Sequence, residues 1–187
     1  MHGKLFIIKN IIYFCFILII EFSLFFESNA LAEDKCVEHQ VKAVLLYKFT
    51  SFIDWPESVI EDLWQPFVIG FLGQSPIVSI FIQKFSGQNI KGKKLIIQSF
   101  ESVDQVNACH MIFVHHQYSH EIPSLMKKVK NLSTLIISES DRLIQQGGMI
   151  NFVIENNTIC FEINPSAAKD AGLTISSKLL RLAKIVN

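Results

Sequence analysis

The residues best suited to chemistry gather in one stretch: Cys109 and His110, then His115, His116 and His120. Imidazole and thiolate are zinc ligands, and open α/β sheets bind ligands at the C-terminal ends of their parallel strands. The apolar run Met111-Ile112-Phe113-Val114 puts these histidines at the two ends of one strand and at the start of the next helix. Successive side chains on a strand point to opposite faces, so His115 and His116 are not expected to meet at one ion unless a turn separates them. No further Cys, His or Asp block has metal-ligand spacing. The expectation is exposed loop histidines and no metal site.

Other chemistries are no better supported. Nucleophilic catalysis would show as a G-x-S-x-G elbow, and the sequence has none. Gly70-Phe71-Leu72-Gly73 sits where a phosphate-cradling loop belongs, but it lacks the G-x-G-x-x-G spacing that lets backbone approach a pyrophosphate. A tight turn between strand and helix is expected there. Glu57, Glu61 and Asp62 follow Trp55-Pro56 in a polar segment and suit a solvated face. No catalytic residue is assigned, no cofactor is called for, and the chain is not expected to be an enzyme.

Recognition of a partner is the remaining kind of function. Tyr47, Phe49, Phe52 and Trp55 crowd aromatic rings onto one helix and its exit, and aromatic residues anchor interfaces. Phe49 and Phe52 are expected in the core, and Tyr47 and Trp55 exposed as partner-binding candidates. Lys178, Arg181 and Lys184 recur every three residues as a basic stripe on the last predicted helix, which suits an acidic partner surface. Lys178 and Arg181 are therefore the other two candidates.

The elements that position these residues follow from apolar spacing. Val37, Val41, Val44, Leu45, Phe49 and Phe52 predict an amphipathic helix from about Asp34 to Ile53, stopped by Trp55-Pro56. Buried strands are predicted at 67–73, 94–98, 111–114 and 134–137. Helices at 77–85, 102–106, 122–129 and 141–146 separate and follow them. That alternation argues for one α/β domain with an open, mostly parallel sheet covered on both faces. Met149–Glu155 and Thr158–Ile163, joined by Asn156-Asn157, read as an antiparallel hairpin at one edge. Asn164-Pro165 opens a helix that Gly172 ends. Ser176 caps a final helix with Leu179, Leu180, Leu182, Ala183 and Val186 on its apolar face.

The chain has 187 residues, half of them hydrophobic, so it can bury a core of ordinary size. Seventeen basic side chains offset seventeen acidic ones, which removes the broad positive field that nucleic-acid binding draws on. Nucleic acid is not an expected partner. Lys4 and Lys9, the apolar run from Ile11 to Ile20 and Ala30-Leu31-Ala32 are the three parts of a secretory signal peptide. Cleavage is expected after Ala32, leaving residues 33–187 as a single exported domain. Export removes Cys15 and leaves Cys36, Cys109 and Cys160, an odd number with no C-x-x-C, so at most one intramolecular pair can form. Cys109 and Cys160 suit the role of small buried hydrophobes.

A set of blocks in order carries a family resemblance. The run Val41 to Pro56, the strand Phe67-Val68-Ile69-Gly70, Cys109-His110-Met111-Ile112-Phe113 and Gly147-Gly148-Met149-Ile150-Asn151-Phe152 are similar to the YfiR family. So are Phe161-Glu162-Ile163-Asn164, Gly172-Leu173 and Ile175-Ser176-Ser177-Lys178-Leu179-Leu180. The resemblance implies an exported, Rossmann-like three-layer α/β sandwich. In the characterised branch of the family it implies a periplasmic repressor that binds the sensor domain of the inner-membrane diguanylate cyclase YfiN and keeps cyclic-di-GMP low. A membrane diguanylate cyclase, or another inner-membrane sensor, is thus the expected partner, with a homodimer also open. The repressor branch pairs two sets of cysteines, one joining its first central strand to the residue aligned with Cys109. Neither Phe67–Leu72 nor Met149–Phe152 contains a cysteine here, so redox control is not expected to carry over. The alternative function is a periplasmic small-molecule-binding module using the crevice at the C-terminal ends of the strands.

Overall fold

The computed structural model describes residues 35–60, 65–140 and 142–186. The chain divides into two compact units, Met1–Glu38 and His39–Asn187. The signal-peptide expectation for residues 1–32 lies outside the described residues. Of the first unit, residues 35–38 are helical. The second unit carries the sheets.

Helix α1 covers residues 35–49. Its end falls four residues short of the sequence expectation. The Thr50 hydroxyl donates to the Tyr47 carbonyl at 2.7 Å, and the amides of Ser51 and Phe52 reach back only three residues, to Lys48 and Phe49. That tightened turn releases β1 (Ile53–Asp54), which pairs antiparallel with β9 (Thr174–Ile175) in a separate two-stranded sheet. Backbone pairing and full burial of Ile53 outweigh continuation of the helix. A short helix α2 (Glu57–Ile60) follows.

The main sheet has eight strands, in the order β10 (Lys184–Ile185), β8 (Thr158–Ile163), β7 (Ile150–Glu155), β6 (Leu135–Ser138), β5 (Met111–Val114), β2 (Phe67–Leu72), β4 (Lys93–Phe100) and β3 (Asn89–Ile90). Strand β2 (Phe67–Leu72) lies parallel to both β4 (Lys93–Phe100) and β5 (Met111–Val114). Parallel pairing continues from β5 to β6 (Leu135–Ser138) and from β6 to β7 (Ile150–Glu155). Strand β8 (Thr158–Ile163) returns antiparallel through Asn156 and Asn157, at φ 50° and 60°, and β3 (Asn89–Ile90) pairs antiparallel with β4. Two asparagines with positive φ are the chemistry of a tight hairpin turn. The domain is thus mixed α/β.

The helices form where caps and apolar faces coincide. Ser75 accepts from the Ile77 amide and Pro76 opens α3 (Pro76–Phe85), which buries Ile77 and Phe81. Helix α4 (Ile122–Val129) buries Ile122, Leu125 and Val129. Strand β5 divides its side chains between two cores: Met111 and Phe113 pack with Phe49, Phe71 and Phe81, while Ile112 and Val114 pack with Leu125 and Val129. Gly73, at φ 93°, closes β2 with the Tyr118 ring occupying the space where a Cβ would stand. The glycine loop is a tight turn beneath that ring.

At the C-terminus α5 (Pro165–Asp170) is capped by the Asn164 side chain. The long final helix expected from Ser176 is corrected to a four-residue α6 (Ser177–Leu180), followed by β10 (Lys184–Ile185) parallel to β8. The open edge of β8 supplies the reason, since the Val186 amide donates to the Ile163 carbonyl at 2.9 Å and Lys184 reaches Glu162 at 2.8 Å. Leu182, which a longer helix was expected to place on its apolar face, stands 74% exposed. The expected helices at 102–106 and 141–146 shorten to 3-10 turns at Val103–Gln105 and Ile144–Gln146. Asp141 lies outside the described residues.

Candidate functional site

Adjacent parallel strands in register bring their following residues together. Val114 of β5 stands opposite Ser138 of β6, and the Ser138 hydroxyl donates to the Val114 carbonyl at 2.8 Å. The next residues along, His115 and Glu139, therefore meet at the C-terminal edge of the sheet, with His115 Nε2 3.5 Å from Glu139 Oε1. His115 takes φ −66° and ψ 144° and leads into a 3-10 turn, His116–Glu121, so the alternation of a strand no longer applies. His116 Nδ1 consequently comes within 3.3 Å of the same oxygen. The turn supplies the condition under which two successive histidines can converge, and both face Glu139. The expectation of exposed loop histidines is corrected at His115, which is buried.

Helix α1 closes the site from a third side. Lys42 is in phase with the core residues Leu46 and Phe49, and its Nζ donates to Glu139 Oε2 at 2.7 Å. The two side chains are 5% and 11% exposed. Burial pushes the Glu139 carboxyl up, but the hydrogen bond and charge of Lys42, with His116 and His115, outweigh it and hold the group below its ordinary value. For His115 burial is the strongest influence and lowers its pKa; Glu139 opposes, and the charges on His116, His39 and Lys42 lower it further. At neutral pH the site therefore holds an ionised Glu139 beside a neutral His115. His115, His116 and Glu139 form a group with ligand atoms all within 4.8 Å of one another.

The other histidines lie elsewhere. His110 occupies the opposite end of β5, where its Nδ1 accepts from the Val68 amide at 3.1 Å and its ring stacks on Phe67 at 4.4 Å. Burial, then the charge of Lys93, lowers its pKa. His120 is exposed, with Nδ1 3.2 Å from the Gln117 carbonyl. Cys109, next to His110, is buried, and burial pushes its thiol up to about 11. Cys160 is half-buried and Cys36 exposed.

The recognition candidates divide. Trp55 is a correction, for it is only 6% exposed. Its ring meets Phe67 edge-on at 5.1 Å, and its Nε1 donates to the His110 carbonyl at 3.1 Å. Satisfying the indole N–H inside the fold lets the whole ring bury. Tyr47 is half-buried and stacks on Phe85 at 4.2 Å. Lys178 and Arg181 are exposed at α6 and its end. Lys184 belongs to β10, so the basic stripe is not one helix face.

Sequence reasoning missed Lys42 and Glu139. The signal for Lys42 was a charge in phase with the buried face of α1. For Glu139 it was the first acidic residue after an apolar strand whose neighbour ends in histidines.

The parallel strands β5 and β6, with a polar cluster at their C-terminal ends, place the chain among mixed α/β domains. The particular family is settled by sequence: residues 39–184 match the family described as DUF4154, YfiR/HmsC-like, and the chain belongs to it. That family is known for periplasmic regulators of diguanylate cyclases. No curated protein matches the chain. A solved conserved domain protein from Vibrio cholerae O1 biovar El Tor str. N16961 is similar at 12% identity and a TM-score of 0.48. The match covers 70% of this chain and 57% of that one, so this chain spans little more than half the length of that protein. Among the described residues, no helix is long and apolar enough to cross a membrane.

Proposed function

We propose that the chain is a periplasmic regulatory protein that binds and inhibits the sensor domain of an inner-membrane signalling protein, a diguanylate cyclase, and so lowers cyclic-di-GMP. The observation that carries this reading is the YfiR/HmsC-like match over residues 39–184, which takes in the two-stranded sheet, the main sheet up to the first residue of β10, and the terminal hairpin. The N-terminal pattern of a cleavable signal peptide supports export, with cleavage after Ala32. We read the fold as a Rossmann-like three-layer sandwich with a mostly parallel sheet, and the protein as acting by contact and not by turnover. Lys178 and Arg181, with Tyr47 beside them in rank, are the proposed contact residues; the two basic side chains stand exposed and suit an acidic partner surface. Assembly as a homodimer is compatible with this role.

Deleting the gene should raise cellular cyclic-di-GMP and complementation should lower it, while a tagged chain should co-purify a membrane protein from the periplasmic face. Cyclic-di-GMP indifferent to deletion would remove the regulator reading. The polar group at the ends of β5 and β6 favours a second reading, a periplasmic small-molecule-binding module, which would then take its place.

A further inference from the structure

We propose that His115, His116 and Glu139 form a binding site for one divalent cation of the zinc type. The proposal goes beyond the regulatory reading and does not depend on it. A tetrahedral zinc with bonds of about 2.0–2.1 Å keeps neighbouring ligand atoms about 3.3 Å apart. The Glu139 oxygen lies 3.5 Å from His115 Nε2 and 3.3 Å from His116 Nδ1, which are the spacings of two edges of such a tetrahedron. One ligand atom from each of the three residues lies within 4.8 Å of the others, so closing the third edge around an ion asks the two imidazoles to approach by at most about 1.5 Å.

Three features of the surroundings favour a cation over a plain hydrogen-bond network. Two imidazoles converge on one carboxylate oxygen, their ring centres 4.1 Å apart, and at 3.5 Å His115 gains little from a hydrogen bond there. Lys42 binds the other oxygen, Oε2, at 2.7 Å, and so leaves Oε1 directed at the histidines. Carboxylate ligands are commonly held by an outer hydrogen bond of this kind, which fixes their orientation. Finally, the group bridges two adjacent strand ends, with His115 and Glu139 largely buried and the His116 side chain 58% exposed. A cation would enter past His116 and keep water in its fourth position. Two nitrogen donors and a single carboxylate select a borderline transition-metal cation over magnesium or calcium, which prefer more oxygen ligands.

The test is titration of the tag-free full chain, stripped with chelator, with Zn2+ by calorimetry and with Co2+ by visible absorption, which reports tetrahedral coordination. The wild type should bind one ion per chain. His116→Ala and Glu139→Gln should each weaken binding by at least about tenfold, and His120→Ala should leave it unchanged. Circular dichroism checks that each variant folds. Should Glu139→Gln unfold because Lys42 loses its carboxylate, His116→Ala decides the matter, since that side chain is mostly in solvent. A wild type that binds no Zn2+, or His116→Ala binding as tightly as wild type, overturns the site.

Discussion

Lys42 Nζ lies 2.7 Å from Glu139 Oε2 and joins α1 to the end of β6 across 97 positions of sequence. Both side chains are buried, so removing one partner strands the other charge in a poorly solvated place. Lys42→Met is expected to cost about 3–5 kcal/mol, whereas the double change Lys42→Met with Glu139→Leu recovers most of the loss. Urea unfolding of the two variants checks this, and equal losses would show that the charges do not act as a pair.

Trp55 and Arg181 should behave oppositely. Trp55→Ala empties a space against Phe67 and is expected to cost about 3–5 kcal/mol of stability. Reversing the exposed charges with Lys178→Glu and Arg181→Glu should change stability by no more than about 0.5 kcal/mol. The same reversal should release a membrane partner from co-purification. Retention of the partner by the doubly reversed protein would move the contact surface away from α6.

Acid should destabilise the fold before any carboxylate matters. Burial lowers the pKa of His110, and of His115, in the folded state, so the unfolded chain takes up these protons first. Their stabilising contribution is complete above the unfolded histidine value of about 6.5 and is lost as pH falls from there through the lower folded values. Glu139, also depressed, adds a second loss at lower pH, below the unfolded carboxylate value of about 4.3. Urea midpoints should drop between about pH 7 and 5, and His110→Gln should make that slope shallower. A variant slope as steep as wild type would remove His110 from the account.

Thiol chemistry should be quiet at Cys109. A buried thiol with its pKa near 11 holds almost no thiolate at neutral pH. Alkylation of Cys109 should therefore require denaturant. Reductant should shift stability by less than the ~2–5 kcal/mol that loss of a native disulfide costs. Rapid native alkylation of Cys109, followed by peptide mapping, would contradict the burial.

Much of this fold is readable in the sequence because single elements announce themselves. Asn156-Asn157 between two apolar runs specifies a hairpin, and Ser75-Pro76 marks the start of α3. What escapes reading is pairing between short segments far apart. Ile53-Asp54 continues an apolar helical pattern and becomes a strand only because Thr174-Ile175 is there to receive it. Leu179 to Val186 has helical spacing, yet the free edge of β8 captures Lys184-Ile185. The polar site was half visible. The four histidines stood out by type, but their grouping depended on the turn at His115 and on the register that sets Glu139 beside it. Trp55, at the exit of α1, has the look of an exposed interface ring, and its burial depends on a distant backbone carbonyl, that of His110, which satisfies its N–H.

The regulator reading meets its most direct test in spheroplasts of a strain lacking the gene, where the periplasmic face of the inner membrane is open to added protein. Purified chain should lower cyclic-di-GMP in a dose-dependent way, and the Lys178→Glu, Arg181→Glu protein should be less potent. Cyclic-di-GMP that stays level at every dose, with the membrane cyclases expressed, would contradict the account.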